Sequence, residues 1–219
     1  MSIVLVGSTS GSITLQEPAI AGTTVLNLPA TSGTVALTSQ VPPSPSAVGQ
    51  VPFSTDGSTY TATAKIVSGT SVSASGTSVD FTGIPSWVKR ITVMFNAVST
   101  NGSSIPMIQL GSGSFTTSGY VGSAAIAANG STPAVANMAT GILLSAAMAS
   151  TFSFRGSITI NLIGGNIWIA SGVVGQDDSL RINWTSGAVG VSGALDRVRI
   201  TTVNGTDAFD AGTINILYE

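Results

Sequence analysis

Short runs in which apolar and polar residues alternate recur along the chain, and they limit its fold more than any other feature. RITVMFNAV places Ile91, Val93 and Phe95 on one face, and GSITINLI repeats the pattern with Ile158 and Ile160. A period of two residues is that of a half-buried β-strand, whereas an amphipathic helix repeats its apolar residues every three or four positions. The alternation therefore predicts an all-β protein.

About eight such runs follow one another from residue 60 to the C-terminus, separated by turns rich in Gly, Asn and Ser. This spacing predicts an antiparallel β-sandwich of the jelly-roll kind. The run RVRITTV is expected to bury Val198 and Ile200 and to expose Arg197 and Arg199. PAVANMATGILLSAAM, residues 133–148, is compatible with a short helix, and an edge strand explains it equally well.

Three aromatic residues are candidates for the core or for a contact with a partner. LRINWT is predicted to bury Trp184 together with Leu180 and Ile182, while Arg181, Asn183 and Thr185 face outward. Trp168, in the two-sided apolar run NIWIAS, is expected in the core or at a subunit interface. Tyr120, in the polar loop TTSGYVGS, is the best candidate for a glycan or receptor contact, the alternative being that it packs over the sheet edge.

Composition divides the chain into three regions. Residues 1–40 contain the alternating runs SITLQ, TTVLNL and GTVALT, and two or three such strands are marginal in water by themselves. Their apolar faces are therefore predicted to be shared between subunits or with a docking partner. Residues 41–59 contain four prolines and are predicted to form an extended linker or neck. Residues 60–219 are assigned to the sandwich.

The chain is poor in charge: charged residues make up 7% and the net charge is −2. It has no basic cluster for nucleic acid or anionic lipid. The most membrane-like segment, residues 139–154, is broken by Thr, Gly and Ser and is too short to span a bilayer, so no membrane insertion is expected. No charge occurs between Arg90 and Arg155, which suggests strands that face a core or a partner subunit.

The residue types for most catalytic sites are missing. The chain has no Cys and no His, which removes thiol chemistry, thiolate and imidazole metal ligands and the commonest general base. Asp177 and Asp178 are expected in a solvated loop. Asp207 and Asp210 could hold Ca²⁺, although a turn capped by Asp side chains is the simpler explanation. We therefore expect no enzymatic activity and no cofactor, and calcium near Asp207 and Asp210 stays open.

Two segments resemble bacteriophage proteins. SGSITLQEPAIAGTTVLNLPATSGTVALTSQ, residues 10–40, resembles a segment that recurs in phage tail-fibre and related virion proteins, with TLQEPA and LPATSGTVALTS in the same order. FTGIPSWVKRITVMFNAVSTNG, residues 81–102, and ALDRVRITTVNGTDAFDAGTINILYE, residues 194–219, are similar to the ends of a domain common at the C-termini of phage virion proteins. This second resemblance covers roughly residues 65–219.

The resemblance implies a virion surface protein, made in the host cytoplasm and assembled as a homotrimer. Its N-terminal segment would dock to other virion proteins, of the tail or the capsid, and its C-terminal domain would adsorb to the host surface, including surface glycan. Tail fibres usually carry an N-terminal adaptor or a long shaft, and this chain shows neither. That departure favours a short fibre or, as the alternative, a capsid decoration or cement protein (head fibre) that stabilises the head.

Overall fold

The protein is all-β in the part of the chain that the structure describes. A computed structural model describes residues 2–6, 12–16, 50–53, 61–64, 66–130, 132–177 and 180–219. None of these residues lies in an α-helix, and the described part contains no helix long and apolar enough to cross a membrane. The predicted fold class, an antiparallel β-sandwich, is confirmed.

The described strands differ widely in length. In chain order they are β1 (Ser2–Val6), β2 (Ser12–Gln16), β3 (Gln50–Phe53), β4 (Thr61–Ala64), β5 (Val67–Ser68), β6 (Val72–Ser73), β7 (Ser78–Thr82), β8 (Arg90–Thr100), β9 (Pro106–Ser112), β10 (Ser114–Phe115), β11 (Val121–Ala128), β12 (Ala134–Asn137), β13 (Ile142–Leu143), β14 (Phe154–Gly164), β15 (Ile167–Gln176), β16 (Arg181–Gly190), β17 (Arg197–Thr202) and β18 (Phe209–Tyr218).

Two antiparallel sheets form the sandwich. The larger, nine-stranded sheet has the order β12-β11-β16-β15-β14-β8-β18-β5, with β6 also paired to β18. The smaller, five-stranded sheet has the order β10-β9-β17-β7, with β13 also paired to β9. The long strands pair in a nested way, β8 with β18, β9 with β17, β11 with β16 and β14 with β15. This nesting is that of a jelly roll, but only β9 and β17 of these eight lie in the smaller sheet.

A single apolar core lies between the two sheets. The larger sheet contributes Ile91, Val93 and Phe95, which are buried on one face of β8 as their alternation predicts. The smaller sheet contributes Val198 and Ile200, also as predicted, while the side chains of alternate residues face outward. Because each strand buries every second side chain, each sheet also has an outer face.

The predicted orientation of β16 is wrong. Asn183 and Thr185 are buried, whereas Ile182 and Trp184 are exposed on the outer face of the larger sheet. Asn183 can be buried because its polar atoms are paired: the hydroxyl of Ser145 donates to its Oδ1 at 2.6 Å, and its Nδ2 donates to the carbonyl of Val174 at 3.0 Å. Burying an amide is costly when its polar atoms lack partners. Here both the oxygen and the nitrogen of the amide are hydrogen-bonded, so the cost is largely avoided, and the alternation along the strand does not reveal this.

The segment at residues 133–148 follows the strand alternative and not the helical one. Ala134–Asn137 forms β12 at the edge of the larger sheet, and Ile142–Leu143 forms β13 beside β9. Ile142 and Leu143 are buried between the sheets. The apolar part of the membrane-like segment, residues 139–154, therefore lies in the protein core, as expected.

The N-terminal region is described only in part. The run SITLQ forms β2, which pairs antiparallel with β1 and places Ser2 opposite Gln16. Gln50–Phe53, within the predicted linker, forms β3 and pairs with β4. The runs TTVLNL and GTVALT and the rest of residues 41–59 lie outside the described residues. The β1–β2 pair and residues Ala62–Glu219 belong to different compact units.

A candidate binding groove on the smaller sheet

The outer face of the smaller sheet carries two rows of polar side chains. Strand pairing places Asp80, Arg199 and Gln109 side by side across β7, β17 and β9. The neighbouring row consists of Ser78 and Thr201 with Met107 beside them. These residues occupy the outward positions because the alternate residues, such as Ile200, face the core. The result is a mostly polar floor on the outer face of the smaller sheet.

Arg199 is held rigidly on this floor. Its Nε and Nη2 donate to the two carboxylate oxygens of Asp80 at 2.8 and 2.7 Å. Its guanidinium carbon lies 4.1 Å from the centre of the Phe115 ring, which gives a cation–π contact. Hydrogen bonding to Asp80 raises the pKa of Arg199 above its ordinary value. The ion pair fixes the guanidinium plane and leaves its remaining N–H groups as oriented donors.

Gln109 and Thr140 form the inner part of the floor. Gln109 is buried although it faces outward, because the segment around Thr140 covers it. Its Nε2 donates to the carbonyl of Thr140 at 2.9 Å. Gly141 follows directly, and a methyl group at this position would overlap the Met107 side chain. The close approach of this segment to β9 thus depends on a glycine.

The loop after β17 forms one rim of the groove. Asp207 accepts hydrogen bonds from the backbone N–H of Ser104 at 2.8 Å and from Nδ2 of Asn204 at 2.7 Å. These hydrogen bonds, that of Asn204 first, lower the pKa of Asp207. Asn204 Oδ1 accepts in turn from the N–H of Thr206 and of Asp207. The rim is therefore a turn capped by Asn and Asp side chains.

Together these elements enclose a depression of about 330 Å³. Arg199 is the charged residue among its lining side chains, and its charge is balanced by Asp80. The lining is rich in hydroxyl groups, from Thr77, Ser78, Thr117, Thr140, Thr201 and Thr202. A site of this size, with oriented donors and acceptors and no net charge, suits a neutral ligand that carries many hydroxyl groups. An anion would have to compete with Asp80 for the guanidinium.

Tyr120 borders this region, but its ring is 3% exposed. Its hydroxyl accepts from the N–H of Leu110 at 2.8 Å and donates to the carbonyl of Thr116 at 3.0 Å. Burial raises its pKa to about 12. The alternative interpretation, that Tyr120 packs over the sheet, is the one that the structure shows. A buried ring offers no face to a glycan, so Tyr120 acts instead as a clamp on the loop that carries Phe115 and Thr117.

The tryptophans lie in three different environments. Trp168 is buried in the core, which is one of the two positions predicted for it. Trp184, predicted to be buried, is 46% exposed on the larger sheet. Trp87 is equally exposed, at 46%, and its ring centre lies 6.0 Å from that of Tyr218. None of the three lines the groove.

The described carboxylates lie in separate surroundings, each with its own hydrogen-bond or ion-pair partner. Asp177 is ion-paired with Arg155, and Asp210 accepts a hydrogen bond from the hydroxyl of Ser99. Asp178 lies outside the described residues. In the described part of the chain no group of three or more acidic, His or Cys side chains could hold a metal ion. Asp207 caps the turn at the groove rim by accepting hydrogen bonds from Ser104 and Asn204, which agrees with the simpler of the two interpretations of this residue.

The comparisons with known proteins leave the geometry as the main guide to function. The chain matches no protein-family model, no curated protein and no solved structure.

The sequence predicted that Arg199 lies on the outer face, but it did not reveal the neighbours of Arg199 in the groove, Asp80, Gln109 and Phe115. The outward parity of Arg199 was the available signal, and the register of β7, β17 and β9 was needed to find its neighbours.

Proposed function

We propose that this protein is a bacteriophage virion structural protein, a short homotrimeric fibre that mediates adsorption to the host cell surface. The observation that carries the proposal is the rigid, hydroxyl-rich groove with balanced charge on the smaller sheet. The sequence resemblance to virion proteins supports the same conclusion. In this proposal the groove binds a neutral polysaccharide of the host surface, and the N-terminal segment attaches the fibre to other virion proteins.

The groove suits adsorption because its key groups need little reorganisation on binding. Arg199 is held by Asp80 and Phe115 before any ligand arrives, which lowers the entropy cost of forming hydrogen bonds. A single shallow groove gives weak binding. Three grooves on one fibre, and many fibres on one particle, raise the effective affinity by about 10²–10⁴-fold when the geometry allows simultaneous contact.

The first experiment locates the protein on the particle. Phage particles that contain this protein are labelled with gold-coupled antibodies raised against the full chain and imaged by electron microscopy. Label on the tail or on projecting fibres is the expected result. Label evenly distributed over the head would favour the alternative, a capsid decoration protein. Particles that carry the chain nowhere would contradict a virion role.

The second experiment tests the groove. The full chain is applied to an array of bacterial surface polysaccharides that includes neutral and anionic polymers. We expect binding to neutral polymers, weakened about tenfold or more by Thr117→Trp, which fills the groove from its exposed rim. Thr151→Trp is the matched control, because Thr151 is also exposed but does not line the groove. Equal binding by both variants would show that the groove is not the contact site.

A further inference from the structure

More than half of the large apolar side chains that are exposed in the described part of the chain lie on the outer face of the larger sheet. Four adjacent strands, β12, β11, β16 and β15, form one end of this sheet, with β12 at its edge. They expose large apolar residues that lie between two-fifths and two-thirds exposed: Val121, Val135, Ile167, Ile169, Val173, Ile182 and Trp184. We refer to the outward side of these four strands as the open face. Exposed apolar patches of this kind usually mark an interaction surface.

Strand pairing arranges the open face in rows. One apolar row consists of Val135, Ala125, Trp184 and Val173, across all four strands. Trp184 lies between Ala125 and Val173 and is therefore at the centre of the row. A second apolar row consists of Val121, Ala188 and Ile169. Between them runs a row of hydroxyl groups from Ser123, Ser186 and Ser171.

The open face carries no charge on the outward side chains of these four strands, all of which the structure describes. Arg181 also belongs to β16, but it lies on the same side of the strand as the buried Asn183 and not on the outward side. Its guanidinium carbon lies 4.5 Å from the centre of the Phe152 ring. Two copies of an uncharged face can meet without opposing like charges. A serine hydroxyl both donates and accepts, so the row of serines can also pair with a copy of itself. Around a three-fold axis one part of this uncharged face meets a different part of the same face on the neighbouring copy, and no like charges are opposed there.

Its size fits the same partner. At about 3.3 Å per residue and about 4.8 Å between strands, four strands of roughly eight residues cover on the order of 500 Å². A standard protein interface buries about 800 Å² on each partner. The open face supplies more than half of that area. Ser157 and Thr159 of the adjacent β14 extend the surface as far as Arg155, which also faces outward and is ion-paired with Asp177.

We propose that the open face is the contact between copies of this chain, with Trp184 at its centre. This inference rests on the proposed homotrimer and adds the surface that holds it together. The three sandwiches pack with their larger sheets toward the three-fold axis. The grooves on the smaller sheets then face outward, where a polysaccharide can reach them.

The experiment measures the oligomeric state of the full chain by sedimentation velocity at micromolar concentration. Trp184→Glu places a charge at the centre of the open face, and we expect the trimer to dissociate to monomer. Trp87→Glu is the matched control, since Trp87 is the same residue type with the same exposure and lies outside the open face. The control should remain trimeric. Circular dichroism establishes that each variant is folded.

Each outcome decides the inference. A trimeric Trp184→Glu variant with the wild-type dissociation constant would overturn it while leaving the proposed trimer intact. A monomeric wild-type chain would overturn both, and the open face would then serve a different virion protein. Binding to the polysaccharide array tests adsorption separately in either case. If Trp184→Glu fails to fold, Ser186→Lys replaces it, because Ser186 is exposed in the serine row of the same face.

Discussion

The two outer faces of the sandwich are built from the same kind of strand and differ in almost every other respect. The smaller sheet carries a groove in which Arg199 is paired with Asp80, and the loop after β17 borders this groove. The larger sheet carries the open face, which is uncharged on β12, β11, β16 and β15 and exposes Trp184 at its centre. One face has fixed polar groups in a concavity, and the other has apolar groups on an open surface.

The difference teaches what each face can recognise. Fixed donors and acceptors in a concavity select a ligand by hydrogen-bond geometry. They form no hydrogen bonds with an apolar partner and so cannot select one. An open apolar surface gains free energy from burial against any complementary shape, and it has little power to select among soluble polar ligands. Four changes test whether the faces are separate in this sense, and they are considered from the largest expected effect on stability to the smallest.

The largest effect is expected in the core that the faces share. Ile200 is fully buried on β17, so Ile200→Ala should lower the free energy of unfolding by about 2–5 kcal/mol. Val121→Ala, on the open face, should change it by less than about 0.5 kcal/mol. Guanidinium chloride denaturation followed by circular dichroism measures both. Similar losses for the two variants would mean that the open face is packed against something within the chain.

A smaller effect, confined to the groove, is expected from Gly102→Ala. A methyl group at residue 102 would overlap the Asp207 carboxylate and displace it from Ser104 and Asn204. Loss of these hydrogen bonds should lower stability by less than the Ile200→Ala change does and should disturb the groove rim.

The readouts for Gly102→Ala are denaturation, polysaccharide binding and sedimentation. We expect weaker binding with an unchanged oligomeric state. Thr151→Ala is the control, because Thr151 is exposed and lies in neither the groove nor the open face. If Gly102→Ala dissociated the proposed trimer while leaving binding intact, the assignment of the two faces would be reversed.

Tyr120→Phe should cost about 1–2 kcal/mol, since it leaves the N–H of Leu110 and the carbonyl of Thr116 without their partner. It should also change the pH dependence. Burial raises the pKa of Tyr120 to about 12 from an ordinary value of 10.0, so the folded state favours the neutral phenol. The stability gained from neutral Tyr120 is complete below about pH 10 and is lost as the pH rises toward about 12.

Denaturation across that pH window compares the wild type with Tyr120→Phe. The difference between their free energies of unfolding should shrink as the pH rises, because only the wild type loses the contribution of a buried neutral phenol. A constant difference would contradict the clamp role of Tyr120 and would leave the loop that carries Phe115 fixed by other contacts.

The sequence predicted strands well where the two faces of a strand differ strongly. On β8, Ile91, Val93 and Phe95 alternate with more polar residues, and their burial followed the pattern. The first half of β16 gave the wrong orientation. Trp184 faces outward, and Asn183 is buried because it is hydrogen-bonded to Ser145, 38 residues away in sequence. The second half held the correct signal, since Val189 is buried in the same phase as Asn183.

The groove could be predicted only in fragments. Parity alone placed Arg199 outward, but Asp80 is 119 residues away in sequence and joins it only through the register of β17 and β7. Tyr120 lies between polar residues and looked exposed, yet two hydrogen bonds draw it into the core. Local patterns report the direction of a side chain along its strand. They do not report which distant strand lies beside it.

The smallest effect on stability, and the sharpest test of the comparison, is expected from Asp80→Asn. The exposed ion pair contributes about 0–1 kcal/mol, so the fold should be nearly unchanged. The guanidinium of Arg199 then lacks its counter-charge, and the groove becomes cationic. We expect weaker binding to neutral polysaccharide and new, salt-sensitive binding to anionic polymers on the same array.

Asp210→Asn is the control, because it changes the net charge by the same amount at an exposed carboxylate that does not line the groove. If both variants gained anionic binding equally, the cause would be the charge of the whole chain and not the groove. Sedimentation should show the same oligomer for both variants, since neither residue belongs to the open face. Dissociation by Asp80→Asn alone would mean that the smaller sheet takes part in assembly, and the separation between a recognising face and an assembling face would fail.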